Sequence, residues 1–151
     1  MPRYTLSNRS DTFTGSPSDD VIHGLGGNDR LNGADGDDTG YGDDGNDFLQ
    51  GGFGSDLLVG GAGRDTFRWD DFGTGDTFAA RADVVADFGR GDRVDLKAVD
   101  IHGFDRSGGN SPGDGQFSIS DGGHLITWNT HGEFHDVEVH GRGVTFDDII
   151  W

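Results

Sequence analysis

The sequence predicts an all-β chain in which short strands wind through successive coils and an antiparallel β cap closes one end. Three observations carry that prediction. Glycine recurs at residues 15, 24, 33, 42, 51 and 60, and aspartate at 20, 29, 38, 47, 56 and 65, both with a period of nine and no slippage. An apolar residue follows each of those aspartates by two (Ile22, Leu31, Leu49, Leu58 and Phe67), with Gly40 the one exception. Beyond the repeat, three runs alternate apolar and polar residues as half-buried strands do.

A third series, Gly27, Gly36, Gly45, Gly54 and Gly63, keeps the same phase, with Ser18 as its first and imperfect member. A degenerate block at 6–14 holds Asp11 and Phe13 in register, so the repeat covers residues 6–68. Each block divides into a six-residue turn, where glycine permits positive φ, and a three-residue strand. In the strand the middle side chain points one way and its neighbours the other. Three residues are too short for an isolated hairpin, so stability must come from stacking, with two blocks per eighteen-residue coil. Gly40 is expected to leave a void in its column unless Tyr41 leans in.

Composition bounds what can hold such coils together. Leu, Ile, Val and Phe make up 34 of 151 residues, and the formal net charge is −17. That apolar share lies just above the roughly 20% at which a highly charged chain stays disordered. The acid is almost wholly aspartate, 26 residues against Glu133 and Glu138. Turns on one edge of the stack are eighteen residues apart, which sorts the aspartates into two columns. One holds Asp11, Asp29, Asp47 and Asp65; the other holds Asp20, Asp38 and Asp56. Carboxylates one strand spacing (~4.8 Å) apart repel strongly. A hard cation that prefers about six to eight oxygens relieves this, using carboxylates and the carbonyls of glycine-rich turns. The net charge argues against nucleic acid or anionic membranes as partners. No run of eighteen apolar residues is present to span a membrane, and residues 1–15 lack the apolar core of a secretory signal peptide. Cysteine is absent, which excludes disulfides and thiolate sites.

The blocks GLGGNDRLN (24–32) and GGAGRDTFR (60–68) resemble the RTX, or hemolysin-type, calcium-binding nonapeptide G-G-x-G-x-D-x-U-x. The resemblance implies a right-handed parallel β-roll over residues 6–69, with calcium held between turns of consecutive coils. It also implies a ligand pattern. One turn supplies the carbonyls of positions two and four, the next turn on the same edge those of positions one and three, and both supply the position-six aspartate side chain. Carried over, Ser7, Arg9 and Asp11 face Gly24, Gly26 and Asp29. Leu25, Gly27 and Asp29 face Gly42, Asp44 and Asp47, and Asp43, Gly45 and Asp47 face Gly60, Ala62 and Asp65. On the other edge Ser16, Ser18 and Asp20 face Gly33, Asp35 and Asp38, while Ala34, Gly36 and Asp38 face Gly51, Phe53 and Asp56. A sixth site is expected from Asp83, eighteen residues beyond Asp65, with Asp76, Gly61 and Gly63. About five to six calcium ions follow.

Extracellular calcium modules bind at roughly 10⁻⁴–10⁻³ M. At tenfold excess each site adds ~1.4 kcal/mol and five add about 7 kcal/mol, comparable with a domain's net stability of ~5–15 kcal/mol. The roll is therefore expected to be disordered without calcium and ordered with it.

Residues 70–151 are read as the cap. The segment ADVVADFGRGDRVDL (82–96) resembles the D-x-I-x-D-F-x-x-G-x-D-x-I-D-L stretch after the repeats of serralysin-type proteases and mannuronan C5-epimerase repeat modules. Val84, Val85 and Phe88, then Val94 and Leu96, read as two short strands around Gly89–Asp92. Residues 102–115 read as a loop. Gln116–Ser120, His124–Trp128 and Phe134–His140 read as antiparallel strands joined at Asp121-Gly122-Gly123 and Gly132, closing the open end of the roll. The ending at 147–151, Asp147-Asp148-Ile149-Ile150-Trp151, resembles the uncleaved C-terminal signal of type I secretion substrates, and it also fits a final strand packed on the cap. The secretion reading implies the type I machinery as a partner and an extracellular location.

His124, His131, His135 and His140, with Glu133 and Asp136 nearby, are read as strand histidines rather than a transition-metal site. No HExxH is present to supply protease chemistry. The main functional reading is a non-catalytic calcium-binding module that supports export and stabilises or positions an attached catalytic or adhesive domain. The alternative is a carbohydrate-binding module for an alginate-like polyuronate. Its residues are Arg30 and Arg68 for uronate carboxylates, Phe48 for stacking on a sugar, and Asn32 and Gln50 beside them. The opposite outer face, Val21, His23, Thr39, Tyr41, Leu57 and Val59, is expected to be covered by the cap or a partner.

Overall fold

A computed structural model describes residues 1–70, 83–98, 103–104, 116–120, 123–130 and 133–150. Successive blocks place their strands alternately in two sheets. The first sheet takes β1 (Arg3–Thr5), β3 (Val21–His23), β5 (Thr39–Tyr41), β7 (Leu57–Val59) and β9 (Asp83–Phe88). The second takes β2 (Thr12–Thr14), β4 (Arg30–Asp35), β6 (Phe48–Phe53), β8 (Thr66–Asp70) and β10 (Arg93–Ala98). All neighbours within these two sets pair in parallel, and from β1 to β8 partners lie eighteen residues apart. This is the parallel β-roll that the nine-residue period predicts.

Because the register steps by whole coils, the middle strand residues line up inside the roll. One column runs Phe13, Leu31, Leu49, Phe67, Val94 and Ile149, and the other runs Tyr4, Ile22, Gly40, Leu58, Val85 and Val139. All are buried except Phe13 and Tyr4, which are half-buried at the N-terminal end with their rings 4.6 Å apart. The roll thus begins at Arg3, earlier than the start at residue 6 read from the repeat.

Between residues 70 and 83 the coil step lengthens. β9 pairs with β7 and β10 with β8 at offsets of twenty-seven residues, as Leu57↔Val84 and Thr66↔Arg93 show. The sheets themselves continue across this point. β14 (Glu133–Gly141) adds parallel to β9, and β13 (Leu125–Thr130) and β12 (Gln116–Ser120) follow antiparallel, as predicted for the cap, with β11 (Gly103–Phe104) at the edge. Their inner faces carry Phe117, Ile126, Trp128, Val137 and Val139 into one core with Phe67, Trp69 and Phe88. These strands extend the first sheet at its edge rather than cover its outer face, where His23, Thr39, Tyr41, Leu57 and Val59 stay half-buried. The ending forms β15 (Ile149–Ile150), parallel to β10. It is held where Arg142 Nη2 donates to Asp148 Oδ1 at 2.5 Å and Arg93 Nη1 to Asp147 O at 2.8 Å.

Tyr41 does not lean into the gap at Gly40. Its ring stacks outside on His23, 4.4 Å between centroids and 4° from parallel. Gly40 instead faces a small void lined by Ile22, Leu31, Leu49 and Leu58. A Cβ placed there meets Leu58 Cδ2 at 3.4 Å and Leu49 Cδ2 at 3.9 Å, ordinary contact distances, and the backbone is not left-handed. Gly40→Ala should therefore stabilise the roll by about 0.5–1 kcal/mol, since glycine in a strand costs that much relative to alanine. A chemical-denaturation midpoint at or below wild type would refute the void.

Candidate metal sites

Five of the position-six aspartates, Asp29, Asp38, Asp47, Asp56 and Asp65, reach back to the coil before them. Oδ1 of Asp29, Asp47 and Asp65 accepts the backbone N–H of Asp11, Asp29 and Asp47 at 2.8, 2.8 and 2.9 Å. On the other edge Oδ1 of Asp38 and Asp56 accepts from the N–H of Asp20 and Asp38 at 2.7 and 2.8 Å. The two columns are thus continuous ladders, and their carboxylates are drawn inside. Asp20, Asp29, Asp38, Asp47, Asp56 and Asp65 are each at most 3% exposed.

The other oxygen of the carboxylate is the informative one. Oδ2 of Asp29, Asp38, Asp47, Asp56 and Asp65 is buried and has no hydrogen-bond partner. A buried, unpaired carboxylate oxygen is costly and demands an explanation. There is one such atom for each of the five predicted sites. Each points at the opening glycine of its own block. A methyl group on Gly42 would lie 2.5 Å from Asp47 Oδ2 and 2.6 Å from Gly60 O, so oxygen from two successive turns lines that space. Gly24, Gly33, Gly51 and Gly60 likewise have the Oδ2 atoms of Asp29, Asp38, Asp56 and Asp65 in the space a side chain would need. This arrangement fits an oxygen-seeking cation. Among the described residues no three His, Asp or Glu side chains converge, so side-chain carboxylates do not complete a ligand set by themselves and the carbonyls of the turns are the nearest further oxygens.

The predicted carbonyls lie in the same turns. Leu25 O, Asp43 O, Asp44 O and Ala62 O each accept one bond from the adjacent coil, at 2.8 to 3.0 Å, which leaves each a second lone pair, and Phe53 O accepts the Gly36 amide at 2.9 Å. Leu25, Ala34 and Asp43 hold φ of 72°, 88° and 69°, left-handed values rare outside glycine. Such outliers at three successive position-two residues are a strain the turn imposes, and the later blocks carry glycine at that position, Gly52 and Gly61, also with positive φ. Ser7 and Ser16, the position-two residues of the first turns, behave differently. Their amides donate to Asp11 Oδ2 at 2.9 Å and Asp20 Oδ2 at 2.6 Å, so the first carboxylate of each column is satisfied within its own turn. Arg9, Ser18, Gly26, Gly27, Gly36 and Gly45 sit in the turns where the register puts them, while Asp35 ends β4; Gly26 and Asp35 bridge in parallel to Asp44 and Pro17.

The expected sixth site is corrected. Counting eighteen residues from Asp65 puts Asp83 on that aspartate's edge, but the longer step between 70 and 83 carries it to the other one. Asp83 Oδ1 accepts the N–H of Asp56 at 2.9 Å, and its Oδ2 accepts Trp69 Nε1–H at 2.6 Å. Asp92 continues the Asp65 column, accepting Asp65 N–H at 3.0 Å and Gly89 N–H at 2.7 Å. Asp87 holds the amides of Gly60 and Gly61 at 2.8 Å each. Asp87 and Asp92 escaped the sequence reading, although the nine-residue interval from Asp83 to Asp92 repeats the block length. Asp76 lies outside the described residues.

Burial dominates the electrostatics of the columns. It pushes the carboxyl pKa of Asp38, Asp47 and Asp65 up to about 6 and that of Asp56 up to about 8, with neighbouring aspartates adding to the rise. Asp29 is raised for the same reason. Asp11, at the exposed end, is held below the ordinary range by its bonds from Ser7.

On the outer face of the second sheet, the Arg30 guanidinium lies 4.4 Å from the Phe48 ring centre and that of Arg68 lies 5.8 Å from it. Asp70 takes Arg68 Nε–H at 2.6 Å and Gln50 Nε2–H at 2.8 Å, while Asn32 Oδ1 accepts the Ala34 amide at 2.9 Å. The five predicted carbohydrate residues therefore form one strip, with the aromatic ring already under the arginines. Among the described residues the cap histidines do not converge, and His131 lies outside those residues. His124 Nδ1 lies 2.8 Å from Val139 O, His135 stacks on Trp128, and His140 Nε2 lies 2.7 Å from Glu138 Oε1.

Residues 7–40 and 41–68 match the profile of the RTX calcium-binding nonapeptide repeat, in four copies. No curated protein matches the chain. Among solved structures it is similar to the AlgE6R2 subunit of the Azotobacter vinelandii mannuronan C5-epimerase. The TM-score is 0.63 and the identity 28%, over 91% of this chain and 91% of that one. The AlgE6R3 subunit of the same epimerase aligns with a TM-score of 0.53 and 27% identity, over 95% of this chain and 79% of that one. The aspartate ladders from Asp11 to Asp65 thus lie within residues 7–68, the stretch of this chain that matches the RTX calcium-binding nonapeptide repeat.

Proposed function

We propose that this is a non-catalytic calcium-binding module of a secreted protein, ordered by about five calcium ions and serving to stabilise or position an attached catalytic or adhesive domain. The five buried, unpartnered carboxylate oxygens, one per predicted site, carry this reading. Calcium, when bound, would supply the positive charge that the stacked carboxylates lack. The chain holds Oδ1 of each aspartate by a backbone amide, aims Oδ2 at the turn, and keeps the opening glycine bare. In this reading residues 6–69 are the calcium-ordered unit and residues 70–151 the cap on which it is built. Low cytosolic calcium keeps the chain unfolded for type I export through the signal at 147–151, and external calcium then folds it.

Circular dichroism of chelated protein titrated with calcium should show strand signal appearing with the metal, and calorimetry should count about five ions. Asp56→Asn should lower the count by one. A strand-rich spectrum unchanged by chelator would contradict the proposal.

Proton and calcium compete for the same oxygens, which sets opposite pH dependences. Without divalent ions, the folded columns bind protons that the unfolded chain has released. The stability this contributes is complete below the unfolded carboxyl value and is lost as pH rises through about 6 and then about 8. With calcium bound, acid instead displaces the metal. Strand signal should therefore grow on acidification in chelator and shrink on acidification in calcium. Parallel trends in the two buffers would be inconsistent with shared oxygens.

A second reading is binding of an alginate-like polyuronate, supported by the likeness to mannuronan C5-epimerase subunits and by the exposed Arg30 above Phe48. Arg30 and Arg68 would meet uronate carboxylates, with Asn32 and Gln50 alongside. Calorimetry with alginate oligomers in calcium should show binding that Arg30→Ala/Arg68→Ala weakens about tenfold or more. Equal affinity in the variant would remove this face from the proposal.

A further inference from the structure

Position five of the nonapeptide, which the repeat motif leaves open, carries a second ladder. Ser10 Oγ accepts the N–H of Asn28 at 3.0 Å, Asn28 Oδ1 that of Asn46 at 2.9 Å, and Asn46 Oδ1 that of Arg64 at 2.9 Å. On the other edge Asp19 Oδ1 accepts the N–H of Asp37, and Asp37 Oδ1 that of Ser55, both at 3.0 Å. These five bonds fall one beside each of the five candidate sites.

Their direction is the reverse of the position-six ladder. At position six, an amide of the earlier coil donates to a side chain of the later one, as from Asp29 N–H to Asp47 Oδ1. At position five, the later coil's amide donates to the earlier coil's side chain, as from Asn46 N–H to Asn28 Oδ1. Adjacent residues thus clasp neighbouring turns reciprocally, so a slide of one coil along the next breaks both bonds. The position-five side chains are exposed and take no part in lining the sites. Only short acceptors occupy the receiving positions. Arg64, whose guanidinium can accept nothing, stands at the last rung of its edge.

We propose that Ser10, Asp19, Asn28, Asp37 and Asn46 are positioning residues for calcium binding, fixing turn-to-turn spacing in the folded roll so that the two halves of each ligand set face one another. This rests on the calcium-ordered reading above. The test compares wild type with Asn28→Ala/Asn46→Ala, which removes two of the three acceptors on one edge. A third chain, Asn28→Ser/Asn46→Ser, keeps a neutral acceptor of the kind Ser10 already provides. Each is titrated with calcium, following strand signal for the midpoint and calorimetric heat for the number of ions. Two ordinary hydrogen bonds spread over about five ions should raise the calcium midpoint about two- to threefold in the alanine variant. The ion count at saturation should stay at the wild-type value, and the serine variant should return close to the wild-type midpoint. Asn46→Ala alone should fall between. An unmoved midpoint in the alanine variant, a lower ion count at saturation, or a serine variant as weak as alanine would each overturn the proposal. A wild-type chain that orders without calcium would fail earlier, at the reading on which this one stands.

Discussion

The structure depends on one hydrogen bond repeated along two edges, from the amide of one position-six aspartate to the carboxylate of the aspartate a coil later. It joins coils whose strands are too short to cohere alone. It also pulls charged groups out of water, the costly part of the arrangement. With Oδ1 committed, Oδ2 has only the turn interior to face, and the opening glycine must stay bare because a side chain would fill that space. Glycine spacing, aspartate preference and raised carboxyl pKa values are therefore consequences of one contact.

Such a ladder has to be ended as well as repeated. At the N-terminal end Ser7 and Ser16 satisfy the outer oxygens of Asp11 and Asp20 from within their own turns. At the other end Trp69 and Gly89 do the same for Asp83 and Asp92. Both termini are closed by protein donors, and the unsatisfied oxygens are confined to the turns between. Trp69 has a second role, because its ring packs against Trp128 of the cap at 6.1 Å. Cohesion passes at this residue from carboxylate ladders to a hydrophobic core containing Phe67, Phe88, Phe117 and Ile126. That core is where most of the large buried side chains lie, which is why the cap is the natural platform for the roll.

The inner column from Leu31 to Phe67 and the strand Gln116–Ser120 were legible in the sequence, because a strict period and strict alternation each leave one register that buries the apolar set. The edge occupied by Asp83 was not. Nine extra residues before it preserve the phase of the aspartates while exchanging the two edges, so counting finds the residue but misplaces its partner. β1 was hidden because Arg3–Thr5 precede any glycine that marks a turn. The left-handed backbone at Leu25 and Ala34 was hidden because those residue types rarely adopt it, and the position-five ladder because Ser, Asn and Asp share an acceptor rather than an identity.

Charge distribution explains why the turns cannot settle their own electrostatics. Between residues 10 and 63 the chain has eleven aspartates against one arginine, Arg30, no lysine, and one histidine, His23, whose Nδ1 lies 3.2 Å from Asp43 Oδ2. Arg30 projects from a strand, not a turn, and is held over Phe48 on the outer face. Arg68 is likewise engaged on that face by Asp70. Arginine placed in the turns would neutralise the columns internally, but its long side chain could not enter a space that excludes even a methyl group. A proton could enter it, and so could a small cation. At neutral pH the proton is scarce relative to the pKa of about 6 that Asp38, Asp47 and Asp65 reach, so their neutralisation is left to the cation. An array built this way converts the concentration of an external ion directly into the presence or absence of a fold.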